Sequence, residues 1–237
     1  MRLPTAALVI AVWGAGAVQA ASLQISPVSI TLRAEQGASG ITLQNTGSTP
    51  IYGQVRVFGW DQDRSADVLA PTSELVASPP IVQIAPGATQ TVRLVRPNGG
   101  APAAERSYRV LIDEVAREQG GASTGVDIRL RYSVPVFVMP PQPGNETLAW
   151  STFRRDGAWM LRVANSGTRH AQIGVLHLSN RAGARFQISQ GLFGYVLAGR
   201  TREWRLALAP DAALDGPLAV EAVVNSRPLV AASAPAD

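Results

Sequence analysis

The sequence contains no cysteine and no lysine, and it has only two histidines. Without cysteine the chain cannot form disulfides, so packing alone must stabilise its fold. The 21 basic residues are all arginine, which we ascribe to base composition. They are scattered singly, without the clusters of basic and aromatic residues that are typical of nucleic-acid binding. The sequence therefore argues against a nucleic-acid partner.

Long apolar runs are missing after the first twenty residues, so no later segment is expected to span a membrane. Residues 1–20 combine a positive Arg2, an apolar run at 8–12 and the small-residue sequence Val18-Gln19-Ala20. This pattern predicts a secretory signal peptide that is cleaved after Ala20. An uncleaved membrane anchor is the alternative, although the apolar run is short for one. The remaining 217 residues (237 minus 20) are predicted to be exported and soluble.

From residue 22 onward, short segments of β type alternate with turn signals, and no segment shows a helical period over three turns. Segment 51–60 is a clear example, with Tyr52, Val55, Val57 and Trp60 as candidate core residues. The Pro-rich stretch at 140–144 is typical of a linker, and the tail from Ala231 is expected to fray. We predict an all-β chain with two β-sandwich domains, residues 21–141 and 145–237.

The stretch from Gly125 to Pro140 has the features of an exposed edge strand. One face carries alternating apolar or aromatic side chains, namely Val126, Ile128, Leu130, Tyr132 and Val134. Pro135 lies inside the run, and a proline is tolerated only on an edge strand or at a bulge, because it has no N–H to donate. A long apolar edge favours aggregation. We therefore expect that another chain covers this strand or that the protein offers it to a partner.

The sequence has little that could perform catalysis. Residues 121–125 match the pattern G-x-S-x-G, but a nucleophile elbow needs a strand before it and a helix after it. Acidic and hydroxyl side chains from Asp61 to Asp67 stand at EF-hand offsets, but Ala66 and Thr72 replace the expected glycine and glutamate. His170 and His177 have no metal-ligand partner at a suitable spacing. We predict no enzymatic activity, no metal and no cofactor.

Three stretches together resemble the periplasmic chaperones of chaperone–usher pilus systems. Residues 78–94 (SPPIVQIAPGATQTVRL) are similar to the family's most specific signature, a double proline followed by Pro-Gly and an arginine strand. Residues 105–114 (ERSYRVLIDE) are similar to a family strand that ends in an acidic turn. The strand at 126–140 resembles the family's donor strand, which ends in proline. The likeness extends over the mature chain and is weakest after Pro143.

The resemblance implies two immunoglobulin-like domains in a boomerang arrangement with a cleft between them, in the periplasm. It also implies that the chain binds pilus subunits in 1:1 complexes and delivers them to an outer-membrane usher. A subunit lacks its last strand, and the donor strand would fill the open groove by β-augmentation. Val126, Ile128 and Leu130 would enter this groove, followed by Tyr132 and Val134. Three buried aliphatic chains are worth about 5–9 kcal/mol before ordering costs.

The family usually fixes the register by binding the subunit's terminal carboxylate with two basic residues. In this chain the corresponding positions hold Pro27 and Pro135, a departure that resembles the archaic, Csu-like branch. Arg109, on the neighbouring strand, is our first candidate for the anchor, because guanidinium can bind a carboxylate through two hydrogen bonds. Arg131 is the second candidate and Arg129 the third. A solvated edge arginine is the alternative at each position.

Two other classes of function stay open. The chain could be a secreted structural or adhesive β-sandwich module without chaperone activity, or a β-sandwich enzyme or sugar binder. The first lacks support because residue 22 leads directly into the sandwich pattern, with no donor extension, and the second because catalytic motifs are missing. The apolar face at 126–134 could also pack in the domain's own core. The oligomeric state of the free chain is open, although an unpartnered apolar edge favours self-association.

Overall fold

The computed structural model describes residues 23–115 and 129–235. Within these ranges the chain forms strands joined by turns and contains no helix, in agreement with the predicted all-β class. Accordingly, the described part of the chain has no helix that could cross a membrane. The predicted signal peptide, the G-x-S-x-G motif at 121–125, Val126 and Ile128 lie outside the described residues.

The first sandwich consists of a four-stranded sheet, in the order β1-β3-β8-β6, and a six-stranded sheet, in the order β2-β10-β9-β4-β5 with β7 beside β4. Its core lies between the two sheets. The strands are β1 Leu23–Ser26, β2 Ile30–Leu32, β3 Ala38–Asn45, β4 Ile51–Gln62, β5 Asp67–Pro71, β6 Val76–Ser78, β7 Ile81–Ile84, β8 Thr89–Val95, β9 Arg106–Glu114 and β10 Arg131–Val138.

Alternation along β4 decides which of its side chains face the core. Val55 is 2 % exposed and Val57 packs against the same cluster, as predicted. Tyr52 is only partly buried, because Ile51 takes the inward position and successive side chains point to opposite faces. Trp60 is buried, but in a separate cluster with residues of the second sandwich. The prediction of a core position is therefore confirmed for Val55, Val57 and Trp60, although Trp60 lies in that separate cluster, and it is wrong for Tyr52.

The second sandwich is one continuous network of strands in the order β14-β13-β17-β18-β11-β12-β16, with β15 beside β13. The strands are β11 Leu148–Arg155, β12 Ala158–Asn165, β13 Ala171–Ser179, β14 Arg185–Ser189, β15 Gly194–Val196, β16 Thr201–Arg205, β17 Leu218–Val224 and β18 Arg227–Pro235. The tail from Ala231 does not fray within the described residues. It completes β18, which pairs with β17 and, from Ser233 onward, with β11.

Both sandwiches contain a buried asparagine at the end of a strand, in the sequence Asn-x-Gly. The Asn45 and Asn165 side-chain oxygens accept hydrogen bonds from the N–H two residues later, at 2.9 and 3.0 Å. Their amide nitrogens donate to the carbonyl four residues later, at 2.7 Å in both cases. Each nitrogen also donates to a strand carbonyl, that of Ile84 at 3.0 Å or Val196 at 3.2 Å. Each buried side chain thus has its hydrogen bonds satisfied, and it ties a surface turn to a strand of the same sandwich.

Candidate functional site

One edge of β10 is open along half of the strand. β10 pairs with β9 over its whole length, from Arg131 to Val138. On the other side it pairs with β2, and this parallel contact covers only Val136–Val138. Among the described residues, Arg131, Tyr132, Ser133 and Val134 have no strand on that side. Their backbone groups are therefore available to a further strand.

The side chains of the predicted donor face differ along the strand. Leu130, which precedes β10, is partly buried, and its carbonyl continues the ladder by accepting from the Glu114 N–H at 3.1 Å. Tyr132 packs against the first core, and its hydroxyl donates to the Leu23 carbonyl at 3.1 Å. Val134 is 4 % exposed and belongs to that core. Among the described residues, the apolar face thus continues from the sandwich interior to Leu130.

Two of the predicted anchor arginines lie near the open edge. Arg131 and Arg56 both form ion pairs with Asp113 on β9, the second at 2.6 Å. Burial raises the pKa of the Asp113 carboxyl, but the hydrogen bonds from the two guanidinium groups outweigh it and hold the pKa below its usual value. Arg131 is therefore engaged within the sheet, although its side chain is 63 % exposed. Arg129 is exposed and lies just before β10.

Arg109, the first candidate for the anchor, lies on the outer face of the sheet between β4 and β10, opposite Phe58 and Pro135. Its guanidinium carbon is 3.6 Å from the ring centre of Trp60 and 5.3 Å from that of Tyr195. This packing leaves only 13 % of the side chain exposed. Burial lowers the pKa of Arg109, and the charge of Asp67 and the nearby Tyr195 oppose the change. Arginine stays protonated even so.

An aromatic cluster joins the two sandwiches directly behind Arg109. It combines Trp60, Phe137 and Met139 with Tyr195 and Leu197 of the second sandwich. The Trp60 and Tyr195 rings meet edge to face with centres 5.4 Å apart. Phe137 is 1 % exposed, so the outer face of β10 is closed at this end of the strand. The apolar character of both faces at 136–139 therefore reflects two different cores.

A histidine from the second sandwich completes this contact. The His170 ring stacks on Phe137 at 3.5 Å and is nearly parallel to it, with an angle of 4° between the planes. Its Nδ1 lies 2.9 Å from a Glu105 carboxylate oxygen, and the other oxygen accepts from the His170 N–H at 3.0 Å. The sequence showed no partner for His170, because this glutamate lies 65 residues away.

The Gln62 side chain holds the junction together by binding the backbone of the second sandwich at Tyr195 and Leu197. Its side-chain amide donates to the Tyr195 carbonyl at 3.0 Å, and its oxygen accepts from the Leu197 N–H at 2.8 Å. The pair of bonds imitates a neighbouring β-strand. Arg200 binds Asp61 nearby, with one nitrogen–oxygen distance of 2.9 Å. The junction is thus held by directional hydrogen bonds as well as by apolar packing.

The segment with EF-hand offsets binds its own backbone. The Asp63 carboxylate accepts from the N–H groups of Ser65 and Ala66, both at 2.6 Å, and these bonds lower the pKa of Asp63. Within residues 23–115 and 129–235, no group of three histidine, cysteine or acidic side chains is placed to hold a metal ion.

A cleft of about 420 Å³ opens beside the junction. Both sandwiches contribute to its walls, which are lined by Gly59, Trp60, Asp61, Val68, Ala70, Glu74, Glu105, Arg106, Ser107, Tyr108, Leu197, Ala198 and Arg200. The Tyr108 hydroxyl donates to Glu74 at 2.7 Å, and burial together with this carboxylate raises the pKa of Tyr108. The walls of the cleft thus carry charged side chains of both signs, among them Glu105 and Arg106.

These features agree with an independent comparison of the sequence. A family model for the pili and flagellar-assembly chaperone, PapD N-terminal domain, matches residues 22–143. The match covers 122 residues (143 minus 21) of 237, which is more than half of the chain. The chain belongs to this family. It is therefore a pilus-assembly chaperone and not an enzyme, as the sequence resemblance predicted. No curated protein sequence matches the chain.

Solved structures agree in fold. A chain of the CsuC–CsuE chaperone–tip adhesion subunit complex from the archaic Csu pili of Acinetobacter baumannii is 24 % identical, with a TM-score of 0.68; the match covers 92 % of this chain and 100 % of that one. The SafA pilin–SafB chaperone complex of Salmonella enterica gives 15 % identity, a TM-score of 0.62 and coverages of 92 % and 97 %. The Pseudomonas aeruginosa CupB2 chaperone is 15 % identical, with a TM-score of 0.58; the match covers 90 % of this chain and 100 % of that one. This likeness supports two immunoglobulin-like domains over nearly the whole chain.

Proposed function

We propose that this pilus-assembly chaperone acts in the periplasm, where it binds one subunit at a time by donor-strand complementation and passes it to an outer-membrane usher. The observation that carries the proposal is the open edge of β10 at Arg131–Val134, which has β9 on one side only. A subunit that lacks its last strand supplies the missing neighbour. Backbone hydrogen bonds then give affinity, and alternate side chains give specificity.

We assign the groove contacts chiefly to Val126, Ile128 and Leu130. The contact predicted for Val134 would require this side chain to leave its own core, where it is 4 % exposed. Tyr132 is tied to the β1 edge by its hydroxyl. These two residues therefore extend the apolar face that the groove meets, and the upstream residues enter the groove itself.

Arg109 is the proposed anchor for the subunit's terminal carboxylate. The register places it beside Pro135, the position at which the family's usual basic residue is replaced. Its guanidinium is held against Trp60, so little side-chain entropy is lost when a carboxylate binds. Arg131 and Arg129 stay the second and third candidates. Pro27 and Pro135, which stand where the family usually has its two basic residues, support assignment to the archaic branch.

Co-expression with the pilin subunits of its operon tests the proposal. We expect a soluble 1:1 complex that can be isolated from the periplasm, and subunits that aggregate or are degraded when the chaperone is omitted. Addition of the usher should then transfer the subunit. Subunits that stay equally soluble alone would contradict the chaperone role and favour a structural or adhesive module. Sedimentation of the free protein tests self-association, which an unpartnered apolar edge favours.

A further inference from the structure

The proposed anchor already faces a carboxylate within its own chain. An Arg109 terminal nitrogen lies 3.6 Å from Oδ2 of Asp67, the first residue of β5. This separation is within the range of an ion pair but is longer than a normal hydrogen bond. The Arg109 side chain is 13 % exposed and that of Asp67 is 39 % exposed. Solvent, and therefore another carboxylate, reaches the pair from the Asp67 side.

A hydrogen bond from Gln62 keeps the Asp67 side chain near Arg109. Its Oδ1 accepts a hydrogen bond from the Gln62 side-chain nitrogen at 3.0 Å. The same nitrogen donates to the Tyr195 carbonyl of the second sandwich. Asp67 is therefore held by a residue of the domain junction, and its second oxygen faces Arg109 without a close bond. Such a contact neutralises the buried guanidinium, and a better-placed carboxylate can displace it.

We propose that Asp67 occupies the place of the subunit carboxylate in the free chaperone and gives up Arg109 when a subunit binds. The inference rests on the proposed function, because it assumes that Arg109 is the anchor. A subunit carboxylate at hydrogen-bonding distance offers Arg109 two close bonds in place of one long ion pair. Only the second oxygen of Asp67 has to give up Arg109, because the side chain is more than one third exposed and Oδ1 can stay bound to Gln62. By competing for Arg109, Asp67 lowers the affinity of the chaperone for the subunit's terminal carboxylate.

The test is a competition for one subunit. The isolated complex of wild-type chaperone and pilin subunit is mixed with an equal amount of a tagged variant, and the share of subunit on each is measured at equilibrium. Asp67→Asn removes the competing charge and keeps the group that accepts from Gln62. We expect this variant to hold the subunit about three- to tenfold more tightly. Asp67→Ala should act in the same direction.

Two controls assign the effect to Arg109. Asp156→Asn removes the same charge from a remote hairpin, where Asp156 has φ = 50° and asparagine is equally tolerated, so it should leave the partition unchanged. In an Arg109→Ala background, Asp67→Asn should give no gain. A subunit with one added C-terminal glycine should also show no gain, since its carboxylate is displaced.

The outcomes separate this inference from the proposed function. An unchanged or weakened affinity of Asp67→Asn, with Arg109→Ala weaker than wild type, would overturn the role of Asp67 and leave Arg109 as the anchor. Equal binding by Arg109→Ala would remove both assignments. If no complex forms with any variant, the proposed function itself fails.

Discussion

The two sandwiches close their sheets in different ways. In the second, β18 pairs with β17 along one stretch and with β11 at its end, so the two layers are joined by backbone hydrogen bonds. In the first, no described strand joins the two sheets, and β10 has β2 beside it only at Val136–Val138. The last strand of the second sandwich therefore has a neighbour on both sides, whereas β10 of the first sandwich has one side open over half of its length.

The difference shows how an edge can be kept available without destabilising the fold. β10 is held by β9 on one side, by the first core under Val134 and by the junction cluster over Phe137. Its open part is thus fixed in an extended conformation before a partner arrives, which lowers the entropy cost of adding a strand. We therefore expect the stability of the fold to depend on Val134–Val138, and the proposed binding to depend on the open edge that precedes them.

The largest expected effects come from aspartate substitutions at two positions of the apolar face, because one position should matter for binding and the other for folding. We expect Ile128→Asp to abolish the subunit complex and leave the free protein folded. Val134→Asp should unfold the first sandwich, because a buried carboxylate without a partner costs more than about 4 kcal/mol. Circular dichroism and the periplasmic co-purification assay measure the two effects.

The matched control for these variants is Val230→Asp, on a valine of β18 that is 80 % exposed. It should change neither folding nor binding. Unfolding of Ile128→Asp would show that the upstream residue belongs to the domain core and would contradict its role in the groove.

Phe137→Ala should separate the two sandwiches. The substitution removes the ring that stacks on His170 and packs against Trp60, at a cost of about 3–5 kcal/mol. Calorimetry should then show two unfolding transitions, whereas we expect one for the wild type because the junction couples the sandwiches. Phe193→Ala removes a ring that packs on Trp204 within the second sandwich, so it should destabilise without splitting the transition. A single transition for Phe137→Ala would mean that Gln62 and Arg200 suffice to couple the domains.

Asn45→Ala and Asn165→Ala test whether the two turns are energetically equivalent. Each change removes the hydrogen bonds to the turn and leaves a buried strand carbonyl without this partner, so we expect a loss of about 2–4 kcal/mol in either sandwich. Chemical denaturation gives the values. Asn180→Ala, at an exposed turn with two similar bonds, should cost only about 1 kcal/mol. If the two losses of unfolding free energy differ clearly, the two asparagine turns do not stabilise their sandwiches equally.

The smallest effect concerns one acid in each sandwich that is bound by two arginines. Burial raises the pKa of Glu203, but hydrogen bonds from Arg155 and Arg162 outweigh it, so its pKa is lowered, as that of Asp113 is. A lowered pKa in the folded state means that the stabilisation is present above the unfolded-state pKa and is lost as the pH falls through the folded-state value.

Glu203→Gln and Asp113→Asn should therefore each flatten the decline of unfolding free energy below about pH 4.5, by at most about 1 kcal/mol. Urea denaturation at pH 7 and at pH 3 measures the difference. An unchanged slope would mean that the arginines contribute equally to the folded and unfolded states.

Much of the fold could be predicted from local patterns. Alternation, turn residues and the prolines at 27 and 140–141 predicted most strands, and the double-proline signature at 79–80 pointed to the family. Trp60 could not be placed, because an aromatic residue on a strand has the same pattern whether it faces its own core or another domain. The prediction that the tail from Ala231 frays was wrong, because its small residues do not indicate that it pairs with two strands.

The sequence by itself determined the all-β class, the family and the apolar face at 126–134, because side-chain period and proline placement are local properties of the chain. Only the tertiary structure decided where that face stops being core, since burial depends on which sheet lies opposite. It also decided that His170 meets Glu105, Gln62 meets Tyr195, and Asp67 meets Arg109. These pairs bring together residues that are far apart in sequence, and no local pattern records the distance between them.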